Sequence, residues 1–129
     1  MSDPDPEFER VFRHAAKQGV SAVITVRGSL LNRYSEKISK LLIRNRLPSM
    51  HERNEDVEAG GLMSYAANDA DSFKRAAYYV DRILKGSKPA DLPVEQPTKF
   101  EFVINLKTAK ALNLNIPQSV LFRADKVIK

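Results

Sequence analysis

The chain has 129 residues, enough for one domain with a core, and its 43% hydrophobic content is ordinary for a globular protein. It carries a formal charge of +5 and no cysteine, which excludes disulfides and thiolate metal sites. No apolar run approaches the ~20 residues of a membrane helix. The polar, acidic start MSDPDPEFER lacks the basic and apolar regions of an export signal, so the chain as written reads as cytoplasmic.

In segment 6–18, Phe8, Val11, Phe12, Ala15 and Ala16 share one stripe at helical spacing, with Gly19 as a left-handed stop. Residues 21–26, SAVITV, form a short β-branched run that suits a parallel strand buried on both faces. Arg27-Gly28-Ser29 breaks it. A helix from about Leu30 to Arg46 turns Leu31, Tyr34, Ile38, Leu41 and Leu42 inward, and residues 47–51 read as the next strand, with Pro48 at its start.

After a polar stretch from His51 to Glu55, a turn at Val57–Gly61 leads into a strand at 62–66. Asn68 or Asp69 caps a helix of about Asp71 to Lys85, with Phe73, Ala76, Ala77, Val80, Ile83 and Leu84 inward and Gly86 as its stop. Three prolines between Lys88 and Pro97 force an extended strap. Phe100, Phe102 and Ile104 then alternate with Lys99 and Glu101, as in a strand with one solvated face. Asn105 caps a short helix to Leu112, and Ile116-Pro117 starts a final helix or turn through Asp125. Alternating apolar strands and amphipathic helices define an α/β chain with a mostly parallel sheet. Its parts divide as an α/β lobe portion at 1–66, a crossover helix and strap at 67–97, and a C-terminal strand and helices at 98–129.

Little in this order carries catalytic chemistry. There is no Gly-rich phosphate loop, no HExxH and no GxSxG elbow, so neither an enzyme nor a cofactor is expected. The lysines alternate with apolar helix positions and form no stripe with aromatic platforms, which argues against nucleic acid as a partner. Glu52, Glu55, Asp56 and Glu58 do not follow the spacing of a calcium loop and read as a solvated turn. His14 reads as a surface histidine, and Tyr78 and Tyr79 as packing residues. The positions that stand out follow the three parallel strands: Arg27 to Ser29, His51-Glu52, and Tyr65 to Asp69. At the carboxyl edge of such a sheet, helix N-termini and a few polar side chains meet a ligand.

The wording is specific as well. RNRLPS, GGLMSY and AAYYVDRILKGSKPADLPVEQPTKFEFVINLKTAKALNLNIP follow one another in order. Together they resemble the C-terminal portion of the ABC transporter substrate-binding family related to tryptophan and other aromatic-ligand receptors, which has the two-lobed periplasmic-binding-protein type I fold. The resemblance implies a non-enzymatic receptor whose lobes close on a small solute, aromatic or carboxylate-bearing, and present it to an ABC permease. It implies that Tyr65, Ala66 and Asn68 lie near the cleft, with Arg27 and His51 on facing loops.

Two departures from the family wording are Arg27-Gly28-Ser29, where an acidic residue and proline are usual, and Ala66 in place of a glycine. Full-length members are periplasmic and carry an N-terminal lobe, so the chain reads as a solute-binding importer component truncated to its C-terminal portion. The alternative is a small cytoplasmic interaction protein, or a remnant that kept part of the fold without transport. Either would leave a sheet edge and an apolar interface open, so self-association is expected.

Overall fold

The structure, a computed structural model, describes residues 4–129, with side chains from Glu7 onward; Met1–Asp3 of the acidic start lie outside the described residues. Its internal contacts divide the chain into two units. One comprises the residues up to Ala66 together with Glu101–Lys129, and the other is Ala67–Phe100.

The first unit is built on strands β1 (Val23–Thr25), β2 (Ser49–His51), β3 (Met63–Ala67), β4 (Phe100–Asn105) and β5 (Lys126–Ile128), hydrogen-bonded in that order. β1 and β2 run parallel with Thr25 beside His51, and β2 and β3 run parallel with His51 beside Ser64. β4 and β5 are parallel, with Ile104 beside Val127. Helices α1 (Pro4–Lys17), α2 (Ser29–Arg33), α3 (Ser35–Arg44), α4 (Asn54–Glu58), α6 (Leu106–Ala111) and α7 (Gln118–Leu121) complete it. The class is α/β, with a mostly parallel sheet flanked by helices.

Two apolar clusters hold this unit. Phe12 of α1 meets Ile38, Leu41 and Leu42 of α3 and Leu47 beyond it, with Phe8, Ala15, Val23 and Tyr34 packed around them. Each fully buried aliphatic side chain here contributes ~1.5–3 kcal/mol of transfer free energy. The second cluster joins Leu62 to Ala109 and Leu112, with Met63 and Ile116 against them. Asn105 turns the chain from β4 into α6, and its side-chain oxygen accepts the Thr108 N–H at 3.2 Å.

Several local expectations are corrected by tertiary position. β1 is an edge strand, and only Val23 and Thr25 turn toward the interior; Ile24 is 76% exposed, so the strand is not buried on both faces. Val11 is exposed on α1 as well. The long helix at 30–46 is two helices broken at Tyr34, whose ring packs against Phe8 at 5.9 Å between centroids. The supposed turn after His51 is α4, with Val57 fully buried. In β4 the inward residues are the consecutive Val103, Ile104 and Asn105, so that end is covered on both faces while Phe100 is 46% exposed. The segment after Asp125 is strand β5, aligned by Asp125, whose backbone N–H donates to the Phe102 carbonyl at 2.8 Å.

The second unit is helix α5 (Asp69–Leu84), a 3₁₀ turn at Pro89–Asp91 and an extended strap up to Phe100. The Asn68 side-chain oxygen accepts the Asp71 N–H at 3.0 Å to cap α5, and Gly86, at φ +103°, takes the left-handed turn that stops it. The residues expected to face inward from α5 stay exposed, and no residue of this unit is buried.

These placements set opposite expectations for two residues of β4. Ile104→Ala should lower unfolding stability in urea by ~2–5 kcal/mol, the range for emptying a fully buried aliphatic site. Phe100→Ala should cost about 1 kcal/mol or less. A larger loss at Phe100 than at Ile104 would mean that the strand's orientation is wrong.

Candidate functional site

The carboxyl ends of β1, β2 and β3 lie side by side because all three run parallel, which brings the segments after Thr25 and His51 to one edge of the first unit. These two loops are tied together: the Arg27 backbone N–H donates to the Glu52 carboxylate at 2.8 Å. Glu52 is therefore a fastening for the first loop as well as the head of the second.

Beneath that edge lies a polar cluster that periodicity could not reveal. His51 is 3% exposed, with Nδ1 at 2.8 Å from the Thr25 hydroxyl and Nε2 at 2.8 Å from the Ser49 hydroxyl. Ser49 also accepts the Leu62 N–H at 3.3 Å. A Cβ on Gly61 would fall 2.4 Å from His51 Nε2, so the glycine is there for close approach. Further along, the Ser64 hydroxyl donates to Asn54, and the Asn54 amide donates to Glu101, each at 2.8 Å. Burial holds the His51 imidazole below its usual range, and the Asp56 carboxylate opposes this only in part.

The sequence-derived site residues therefore divide. His51 points into the interior with both ring nitrogens engaged, so it braces the edge instead of facing outward from it. Ala66 is buried in the sheet. Tyr65, between buried Ser64 and Ala66, projects from the other face of β3 and is 58% exposed. Arg27 sits in the loop after β1, and Asn68 belongs to the second unit as the cap of α5. Arg27, His51, Tyr65 and Ala66 thus share the first unit.

The acidic patch is internally paired. Arg53 lies 3.5 Å from Glu55 and 3.6 Å from Asp56, Ser35 donates to Asp56, and Glu58 takes Lys126 at 2.6 Å. The Lys126 ammonium is pushed above its usual range by that hydrogen bond.

Within the second unit, α5 and the strap enclose an open cleft of about 470 Å³, with Asp71, Arg75, Tyr79, Glu95 and Lys99 among its lining. Arg75 grips Glu95 through two guanidinium nitrogens and lies 4.2 Å from the Tyr78 ring centroid. Its hydrogen bond to Glu95 raises the guanidinium pKa and lowers that of the carboxyl. Tyr79 donates to the Pro93 carbonyl at 2.6 Å. Tyr79 therefore holds the strap and Tyr78 backs Arg75, roles that the sequence reading missed because Pro93 lies 14 residues after Tyr79 and Glu95 20 residues after Arg75.

A family model for ABC transporter substrate-binding proteins matches residues 5–128. The chain belongs to that family. No curated protein sequence matches it.

Among solved structures, an ABC domain from Streptococcus pneumoniae in complex with L-Trp is similar at 27% identity and a TM-score of 0.85, over 96% of this chain and 42% of that one. A conserved domain protein from Vibrio cholerae shares the fold at 22% identity and a TM-score of 0.85, over 95% of this chain and 41% of that one. So does the ligand-free, open form of a substrate-binding protein with adhesive properties from Clostridium difficile, at 18% identity and 0.71, over 97% and 41%. The chain thus spans about two-fifths of each. Family and fold together support a solute-binding role for it.

The His51 cluster makes a pH prediction. The folded imidazole sits below 6.5 whereas the unfolded one titrates near it, so the unfolded chain binds the extra proton more readily. Stability should be complete above about pH 6.5 and decline as pH falls through that value toward the lower folded pKa. His51→Gln should be less stable than wild type at pH 8 and should lose much of the slope between pH 8 and 5.5, followed by urea melts. An unchanged slope would show that His51 is not the group responsible.

Proposed function

We propose that the chain contributes one lobe of the solute receptor of an ABC importer, and that the lobe meets a small amphipathic solute at the carboxyl edge of β1, β2 and β3. The observation that carries this reading is the parallel alignment of those three strands, with the loops after β1 and β2 fastened together by Arg27 and Glu52, in a chain of the substrate-binding family. That the Streptococcus pneumoniae neighbour holds L-Trp supports an aromatic, carboxylate-bearing solute. Tyr65 offers an exposed ring face and a hydroxyl, and Arg27 a guanidinium suited to a carboxylate. His51 and Ala66 shape the edge from beneath, and Asn68 acts through the helix that it caps. On this reading the permease is the membrane partner, and the receptor works in the periplasm.

One lobe presents one wall of such a site, whereas closed sites bury ~70–90% of their ligand. Calorimetry against a panel of amino acids and aromatic acids should therefore give Kd values of about 1 mM or weaker for this chain. Tyr65→Ala should weaken the best of them further, and Arg27→Ala should remove the preference for carboxylates. Micromolar affinity indifferent to both substitutions would refute this site.

A further inference from the structure

The residues that follow β2 do more than end a strand. Glu52 holds the backbone N–H of Arg27 after β1, and Asn54 holds Ser64 of β3 and Glu101 of β4, every contact at 2.8 Å. One short segment thus ties the loop after β1 to β3 and β4. Its anchorage lies inside the first unit: Ser64 is fully buried, and Asn54 and Glu101 are half-buried. The segment is also stiff. Arg53 pairs with Glu55 and Asp56, and Asp56 accepts the Ser35 hydroxyl at 2.7 Å. Val57 anchors α4, and its carbonyl accepts the Asn105 amide at 3.1 Å.

The Asn54 tie has one polarity. An ionised Glu101 accepts and cannot donate, so the Asn54 amide nitrogen faces it and the amide oxygen accepts from Ser64. Leucine would make neither contact, and aspartate would set a second carboxylate against Glu101. Ser64 and Tyr65 are consecutive in β3 and point to opposite faces, so holding the first sets the direction of the second.

We propose that Asn54 is a positioning residue of the solute site: it fixes Tyr65 relative to Arg27 and makes the site selective for the separation between an aromatic ring and a carboxylate on one solute. This rests on the site proposed at Tyr65 and Arg27 and names what makes it selective. β2 lies between β1 and β3, so the two strands that carry these groups are two inter-strand spacings apart, roughly 10 Å. A solute that uses both groups must carry its ring and its carboxylate at a matching distance. A wall whose parts shifted independently would accept several distances equally well. A fastened wall has its geometry set before the solute arrives and favours one of them.

Benzoate, phenylacetate and phenylpropionate separate ring and carboxylate by progressively longer spacers. They are titrated into this chain and followed by the ring resonances of isotope-labelled tyrosine, with Tyr65 assigned through Tyr65→Phe. The wild type should prefer one spacer several-fold, and Asn54→Leu should bind all three nearly equally. Asn54→Asp should lose the preference too. Glu101→Gln should keep it, because its amide oxygen still accepts from Asn54. Joining Asn54→Asp to Glu101→Gln should restore it, because the introduced carboxylate then accepts from both neighbours. Without any solute, Asn54→Leu should move the Tyr65 signal and leave those of Tyr78 and Tyr79, in the other unit, unchanged. Circular dichroism checks folding, and the exchange of Asn54 and Glu101 carries the test if Asn54→Leu does not fold. A wild type without a spacer preference, a preference that survives both Asn54 substitutions, an unmoved Tyr65 signal, or an exchange that fails to restore the preference would each overturn the positioning role. In those cases Tyr65→Ala and Arg27→Ala would still weaken binding, and the solute site would stand. If none of the acids binds the wild type, the site itself falls and its selectivity with it.

Discussion

The seating of His51 between Thr25 and Ser49 is the constraint on which the first unit depends. An imidazole buried at the second strand must satisfy both nitrogens, and it does so with one hydroxyl from β1 and one from its own strand. That requirement fixes the β1–β2 register at Thr25 and His51. It also demands a residue without a side chain at Gly61, where the chain passes Nε2 on its way into β3. Ser49 reaches that passage as well, through the Leu62 N–H. The parallel alignment of β1, β2 and β3 thus rests on a polar cluster as much as on the apolar layer of α1 and α3.

The two units are held by different physics. The first has fully buried aliphatic residues, among them Leu42, Val57 and Ile104, and a hydrogen-bonded sheet. The second has neither. Its strap is fastened by an exposed ion pair and a tyrosine hydroxyl, interactions that water and salt weaken. With few buried contacts, α5 and the strap belong to the low-stability end of the molecule, where local opening is expected.

For recognition, the division of labour at the strand ends matters more than the number of polar residues there. His51 would be a poor ligand contact because exposing it would unmake the register. The proposed site rests on Tyr65 instead, because neighbouring Ser64 and Ala66 anchor the strand and leave the ring exposed. Glu52 holds the Arg27 backbone and thereby places the only guanidinium of that loop.

The α/β class, a cap at Asn68 or Asp69, the cap at Asn105 and the stops at Gly19 and Gly86 were determined by sequence alone, because propensity, capping and left-handed turns are local. The family wording was legible for the same reason, as a contiguous run. Which face each apolar residue presents was decided only by tertiary structure. Ile24 and Ile104 look alike in β-branched runs, yet one lies on an edge strand in solvent and the other in the covered interior, because strand order is set by pairings far apart in sequence. Phe73 and Phe12 both sit on helical stripes, but only Phe12 has a second helix packed on it. His51 was read as facing outward because a strand end suggests a ligand, and nothing local records that Thr25, 26 residues earlier, holds its ring inside. Amphipathic spacing reveals that a face is to be covered; the partner that covers it is specified elsewhere in the chain, or in another chain.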